Sequence, residues 1–355
     1  MYHEEEKLAV LVILNVCVLM FHYSSSYTMS LFYLLVMNGI IKYYLDRRVQ
    51  DEHVARTSLS ADILEGNKEK ESEIEEIAKL NQTSLNCKPL AGSTYQFVDA
   101  VVPNVPINSW SKCDHTKFDL RIGPNYAKEK KKAPSAAPLY ELFAVDVFST
   151  DRRIDNVTSR MELPDTSDLE IANEHVPAIF VVQLQIPSKP PPMISTVEDG
   201  PGWAIVLYFK MTKETCDQLG SLESASSAVK LFAQWCEKSE DPAWKSRFKI
   251  IASCLNLEDL GMPSLVRSYN AKPVLIRKTS SVFKTPAYIE LCIHVFKFAN
   301  MAKSTIHMIT SRCGSMFMEI GFVIEGREDS ELPEALVGCA SINRPQENEI
   351  EYLYS

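Results

Sequence analysis

The 355-residue sequence holds none of the short motifs that announce a common chemistry. There is no G-x-S-x-G, no phosphate-binding glycine loop, no H-E-x-x-H pair and no protein-kinase set. No nucleophile–base pair or metal-ligand set is legible, so the expectation is a non-enzyme with no catalytic residue, no metal and no cofactor. The nine cysteines are odd in number, scattered from Cys17 to Cys339, and never spaced C-x-x-C. That excludes a zinc ribbon and a disulfide framework. The seven histidines are dispersed. The nearest approach to a ligand group is Cys113-Asp114-His115, where a loop or core role for His115 is the commoner outcome. A net charge of −9 and a pI near 5.4 argue against nucleic acid as a partner.

What the chain does have begins at its N-terminus. Residues 8–21 are apolar apart from Asn15, and residues 31–41 apart from Asn38. A membrane-spanning helix needs about 17–25 residues, so apolar segments at 8–23 and 27–45 read as a membrane hairpin over residues 1–45. Tyr33, Tyr43 and Tyr44 suit the headgroup level, and Lys42 can snorkel. The acidic opening HEEEK is a poor start for a signal peptide. Lys42, Arg47, Arg48 and Arg56 follow the second run, which places the rest of the chain in the cytosol. The expected location is the endoplasmic reticulum or another endomembrane. On that topology the sequons at Asn81 and Asn156 stay unmodified.

Residues 46–92 read as an acidic juxtamembrane linker. Nine Asp/Glu against four Lys/Arg lie in residues 51–80, so −5 of the net −9 is there. A large domain is expected over 93–345, with a tail at 346–355. Strands are expected at Tyr95–Val102, Thr116–Arg121, Tyr140–Phe148, Ala178–Ile186 and Trp203–Met211. Both faces of Trp203–Phe209 are apolar, which marks a central strand. Helices fit Ser224–Lys238 and the segment after Asn300, which offers an N-cap. From Tyr288 to Lys297 one face is Ile289, Leu291, Ile293 and Val295. A second strand carries Met316, Met318, Ile320, Phe322 and Ile324, with Gly314 placed to end the helix before it. Prolines and glycines between Pro187 and Gly202 make a loop long enough to suspect of function. Strands outnumber helices without regular alternation. The fold class is α+β: a curved, mainly antiparallel sheet packed with helices, after a transmembrane helical hairpin.

FVIEG followed by ELPEALVG resembles the end of the Enhanced Disease Resistance 2 C-terminal domain. FDLRIGPNYAKEKKKAPSAAPLYELFAVDVF is similar to that family's opening block, VPAIFVVQLQIPSKPP to its central strand, and GPGWAIVLYF and RFKII to the blocks between. The resemblance runs in order from about Tyr95 to Arg344. It implies a domain found alone or behind pleckstrin-homology and START domains in plant proteins, with lipid handling inferred for the family. The arginine usual beside the family's glycine is here Ile122, with Arg121 one place earlier.

Two groups of residues are candidates for binding. Arg121, Lys128, Lys130, Lys131 and Lys132 form a cationic cluster around the Gly123-Pro124-Asn125 turn and Tyr126. Near an anionic leaflet they would meet lipid headgroups; a solvated turn is the plain alternative. Tyr288, Glu290 and His294 share the more polar face of their strand, and Gln183 and Gln185 end the corresponding face of theirs. These five either line a ligand cavity or are polar groups satisfied inside the fold. The functional reading is a membrane-anchored lipid-binding or lipid-transfer module with a basic loop for anionic surfaces, its partner a membrane lipid. The alternative is a non-catalytic membrane-tethered adaptor for an unidentified protein.

The topology has a direct test. Protease added to intact microsomes should digest the large domain. Full protection, or a glycan at Asn156, would contradict the cytosolic placement.

Overall fold

Hydrophobic alternation in this chain builds two sheets rather than one. The computed structural model describes residues 88–99, 105–192, 198–346 and 350–353. The expected hairpin, with segments 8–23 and 27–45, and all but the last few residues of the acidic linker lie outside them. Among the described residues no helix is long and apolar enough to cross a membrane.

The strands in chain order are β1 (Gln96–Phe97), β2 (Ser109–Ser111), β3 (Asp119–Arg121), β4 (Lys132–Pro134), β5 (Tyr140–Thr150), β6 (Ile179–Pro187) and β7 (Gly202–Met211). They continue as β8 (Phe248–Cys254), β9 (Pro273–Leu275), β10 (Ser280–Lys284), β11 (Tyr288–His294), β12 (Phe317–Ile324), β13 (Leu336–Asn343) and β14 (Glu351–Tyr352). The helices are α1 (Tyr126–Glu129), α2 (Lys213–Leu219), α3 (Ser227–Lys238), α4 (Pro242–Lys245), α5 (Ser264–Tyr269) and α6 (Asn300–Thr310).

Sheet I runs β1-β2-β13-β12-β8-β9, sheet II runs β10-β11-β6-β7-β5-β14, and β3 pairs with β4 as a separate ribbon. Most pairings are antiparallel, but β1–β2, β6–β11 and β5–β14 are parallel, so both sheets are mixed. The class is α+β as expected. The single expected sheet is replaced by two, whose inner apolar faces share one core.

The core shows this directly. Phe180, Val182, Phe209, Ile289, Leu291 and Ile293 of sheet II share one buried cluster with Phe248, Ile320, Phe322 and Ile342 of sheet I. The rings of Phe209 and Phe322 lie 5.7 Å apart and those of Phe180 and Phe248 6.2 Å apart. The contact is close enough to require glycine at 338, where a Cβ would come within 2.7 Å of the Phe209 ring. Helix α3 closes the same core. Ser226 caps it by accepting from the Val229 N–H, and Phe232 and Trp235 meet Phe180 edge-on. Its buried face holds Ala228, Val229, Leu231, Phe232, Ala233, Trp235 and Cys236.

Each sheet also has an outer face covered by chain. Phe118 and Leu120, from the β3 segment, pack on Ile251, Val323, Leu336 and Cys339 of sheet I. Here Gly321 is required, since a Cβ would meet the Phe118 ring at 2.8 Å. On sheet II, Ile154, Val157 and Met161 cover Ile179, Val181, Val206 and Tyr208.

Several local expectations are corrected. The strand expected at Tyr95–Val102 is only Gln96–Phe97 among the described residues. The one expected from Thr116 opens as a 3-10 turn, because the Asp114 carboxylate accepts the Thr116 N–H at 3.0 Å and caps it. The N-cap of α6 is Ala299 rather than Asn300. Gly314 lies in a 3-10 turn, Cys313–Ser315, three residues beyond the C-cap Ser311. Packing also extends past the expected 93–345. Leu90 bridges Glu162, Ala91 is buried, and β14 adds to the edge of sheet II.

Candidate functional site

The basic loop rises from the β3–β4 ribbon, where Leu120 faces Ala133 and Arg121 faces Lys132. Asn125 and Lys130 take left-handed backbone at φ 67° and 53° and bracket the single turn of α1. Asn suits that region because its short polar side chain tolerates it. The Lys130 N–H closes the turn on the Tyr126 carbonyl at 2.9 Å. The loop is tied down from outside by the Asn125 N–H, donating to Asp329 Oδ2 at 3.0 Å.

The five cations of this cluster divide into two sets. Lys128, Lys130, Lys131 and Lys132 are all exposed. Lys131 pairs with Glu129 at 2.6 Å, and the Lys130 ammonium lies 5.5 Å from the centre of the Tyr126 ring. Arg121 points inward. Its Nη2 donates to Glu325 Oε1 at 3.1 Å and its Nη1 to the Gly326 carbonyl at 3.4 Å, while the guanidinium covers Tyr126. Arg121 thus differs from the four lysines of the expected headgroup set, because nearby carboxylates already pair with its charge.

Those carboxylates belong to the segments that carry the family resemblance. Glu334 is almost wholly buried. Its Oε1 accepts from Lys249 Nζ at 2.7 Å and the Gly326 N–H at 3.0 Å, and its Oε2 from the Arg121 N–H at 3.4 Å. The Glu334 N–H in turn donates to the Arg121 carbonyl at 3.0 Å. Burial pulls the Lys249 pKa below its ordinary range, against the opposing attraction of Glu334. Glu331 accepts from Arg247 Nη1 at 2.8 Å and from the Arg327 and Glu328 N–H groups, completing a capping box.

The second candidate group is also brought together, with the chain's own residues 154–158 lying against it. Glu290 accepts the N–H groups of Val157 at 3.1 Å and Thr158 at 2.9 Å. Tyr288 donates to Asn156 Oδ1 at 2.9 Å. Gln183 Nε2 and Gln185 Nε2 both donate to the Ile154 carbonyl, at 2.8 and 2.9 Å. His294 Nε2 is 2.9 Å from Ser281 Oγ, and its Nδ1 lies 3.7 Å from Asp155 Oδ1. Tyr288, Glu290, Gln183 and Gln185 thus each hydrogen-bond this loop, while His294 bonds Ser281 of β10. Sequence reading placed Tyr288, Glu290 and His294 on one face of their strand and Gln183 and Gln185 on one face of theirs, but missed the loop they hold. Asn156 had a signal only as a sequon.

The weak Cys113-Asp114-His115 group separates. Cys339 Sγ approaches the Cys113 carbonyl, Asp114 caps a turn, and His115 Nδ1 meets the Ser135 carbonyl at 2.9 Å. Among the described residues no three His, Cys, Asp or Glu side chains gather as a metal-ligand set. In the Pro187–Gly202 loop, whose residues 193–197 lie outside the described ones, the Ser188 N–H closes on the Pro201 carbonyl and Asp199 accepts the Arg153 N–H at 2.7 Å.

A family model described as "Protein ENHANCED DISEASE RESISTANCE 2, C-terminal" matches residues 110–345. A protein of Arabidopsis thaliana described as "Protein ENHANCED DISEASE RESISTANCE 2-like" is 25% identical over 238 residues. That stretch is 66% of this chain and 28% of the relative, so the chain matches little more than a quarter of the relative's length. No solved structure matches.

His294 yields a pH prediction. Burial pushes its pKa from 6.5 down to about 4, against the upward pull of Asp155. Above pH 6.5 the ring is neutral folded and unfolded, and its contribution is fully present. As pH falls from 6.5 toward 4 the unfolded chain takes up a proton that the folded chain refuses, so stability drops by up to about 3 kcal/mol. Melting temperature should fall more steeply between pH 7 and 4.5 in the wild type than in His294→Gln. Equal slopes would contradict this.

Proposed function

The chain belongs to the Enhanced Disease Resistance 2 C-terminal family, and from that premise we propose that it is a membrane-anchored lipid-binding or lipid-transfer module. It acts by binding, without a catalytic step, and its basic loop meets anionic membrane surfaces. The observation that carries this reading is the exposure of Lys128, Lys130, Lys131 and Lys132 on a loop whose base is held by the buried Lys249–Glu334 pair and the half-buried Arg121–Glu325 pair. Each cation near an anionic leaflet contributes about 1 kcal/mol of attraction. The apolar segments 8–23 and 27–45 would tether the domain to an endomembrane such as the endoplasmic reticulum, with the domain facing the cytosol. A tether also raises the effective concentration of lipid at the loop, so weak individual contacts suffice.

Flotation tests it. Residues 88–355 should float with phosphatidylserine-rich vesicles at low salt and less at high salt, because exposed charges are screened over about 8 Å at physiological ionic strength. Lys130→Ala/Lys131→Ala/Lys132→Ala should reduce flotation severalfold. The melting temperature should hardly move, because exposed pairs such as Lys131–Glu129 contribute at most about 1 kcal/mol. Equal flotation of the two proteins, or none at low salt, would reduce the loop to a solvated turn and favour a protein-binding adaptor.

A further inference from the structure

A second cationic surface lies outside the basic loop. A groove of about 350 Å³ opens between β9, the segment after it, and the start of α6. Its volume falls within the range of about 300–1,000 Å³ usual for small-molecule sites. Val274, Leu275, Ile276, Phe298 and Ala302 are apolar residues of its lining, and Arg277, Lys278 and Lys297 are the charged ones. Among the described residues no acidic side chain lines it. All three cations are exposed, and none forms an ion pair with another described residue. This contrasts with Arg121, Arg247 and Lys249, each of which meets a carboxylate at 3.1 Å or less. β9 is the edge strand of sheet I, and its Val274 is 51% exposed.

We infer that this groove binds one anionic phospholipid, its phosphoryl group against Arg277, Lys278 and Lys297 and the start of an acyl chain over Val274, Leu275, Ile276, Phe298 and Ala302. The inference rests on the lipid-binding reading above and assigns it a site separate from the basic loop. Charge complementarity selects the occupant. Three cations without a carboxylate suit a phosphodiester, to which Arg and Lys give strong charge-assisted hydrogen bonds. A free phosphate leaves the apolar lining wet. A net-neutral lipid leaves the cations without net compensation. The lining is open and short, so it takes the headgroup and first methylenes while the remaining chain stays in the bilayer. The two surfaces then divide the work: the basic loop reads the charge of the whole surface, and the groove holds a single molecule.

Photo-labelling of the full chain tests the assignment. The protein is mixed with phosphatidylcholine vesicles holding a small fraction of a phosphatidic acid analogue with a diazirine near the head of its acyl chain. Labelled peptides should include residues 274–279 and 297–302, at least fivefold above a phosphatidylcholine analogue with the same chain. Arg277→Glu/Lys278→Glu/Lys297→Glu should lose that labelling at least fivefold. Ala302→Trp, which fills the groove and keeps every charge, should lose it too. Lys130→Ala/Lys131→Ala/Lys132→Ala should retain it, so failure of the basic loop and failure of the groove read out separately. Equal labelling by the two analogues, unchanged labelling in the groove variants, or no label at these peptides would overturn the site. Loss of labelling in millimolar inorganic phosphate would assign the cations to free phosphate and overturn the lipid.

Discussion

A buried carboxylate organises the surface on which this protein's functional reading depends. Glu334 takes the Lys249 ammonium from β8, the Gly326 N–H from beyond β12 and the Arg121 N–H from β3. An isolated charge in that position would cost several kcal/mol, and attraction to one lysine does not ensure repayment. Further donors make it tolerable, because the Gly326 and Arg121 N–H groups add hydrogen bonds to the carboxylate. The result is a junction joining three segments far apart in sequence. With Arg121 spent on this junction and on Glu325, the neighbouring lysines are the cations left facing water.

The same device recurs on the other sheet. Glu290 receives the N–H groups of Val157 and Thr158, and Asp146 those of Gly92 and Thr94. In each case an acid on a strand's outer face binds the backbone of a segment that must lie flat on a sheet. Loop backbone buried this way needs partners for its N–H groups, and a carboxylate supplies several at once. The inner faces meet through Phe180, Phe209, Phe248 and Phe322, and the outer faces are covered by pinned loops rather than by long helices.

Much of this was legible in the sequence, and the limits have physical causes. β7 reads as central because both its faces are apolar, and it lies between β6 and β5. The α3 helix reads from its apolar stripe, although its Ser226 cap lies two residues inside the expected start at Ser224. The face shared by Tyr288, Glu290 and His294 reads from period two. What period two cannot give is the partner. Nothing near Glu290 in sequence points to the N–H groups of Val157 and Thr158, because a backbone donor leaves no residue signature. Sheet number is hidden for the same reason, since an apolar face does not state what it packs against. The groove has no local sequence signal, because Arg277-Lys278 and Lys297 are separated in the chain and come to line one groove only in the fold.

Hydrogen exchange of Glu334→Gln against wild type, each as the full chain, tests the central claim most directly. A buried donor left unsatisfied costs about 1–3 kcal/mol, so amides of residues 119–134 should exchange about tenfold or more faster. Those of β6 and β7, held by the aromatic core, should keep their protection. Unchanged exchange at 119–134 would mean that Glu334 does not hold the basic loop. Equal acceleration throughout would mean that it serves the whole fold rather than this surface.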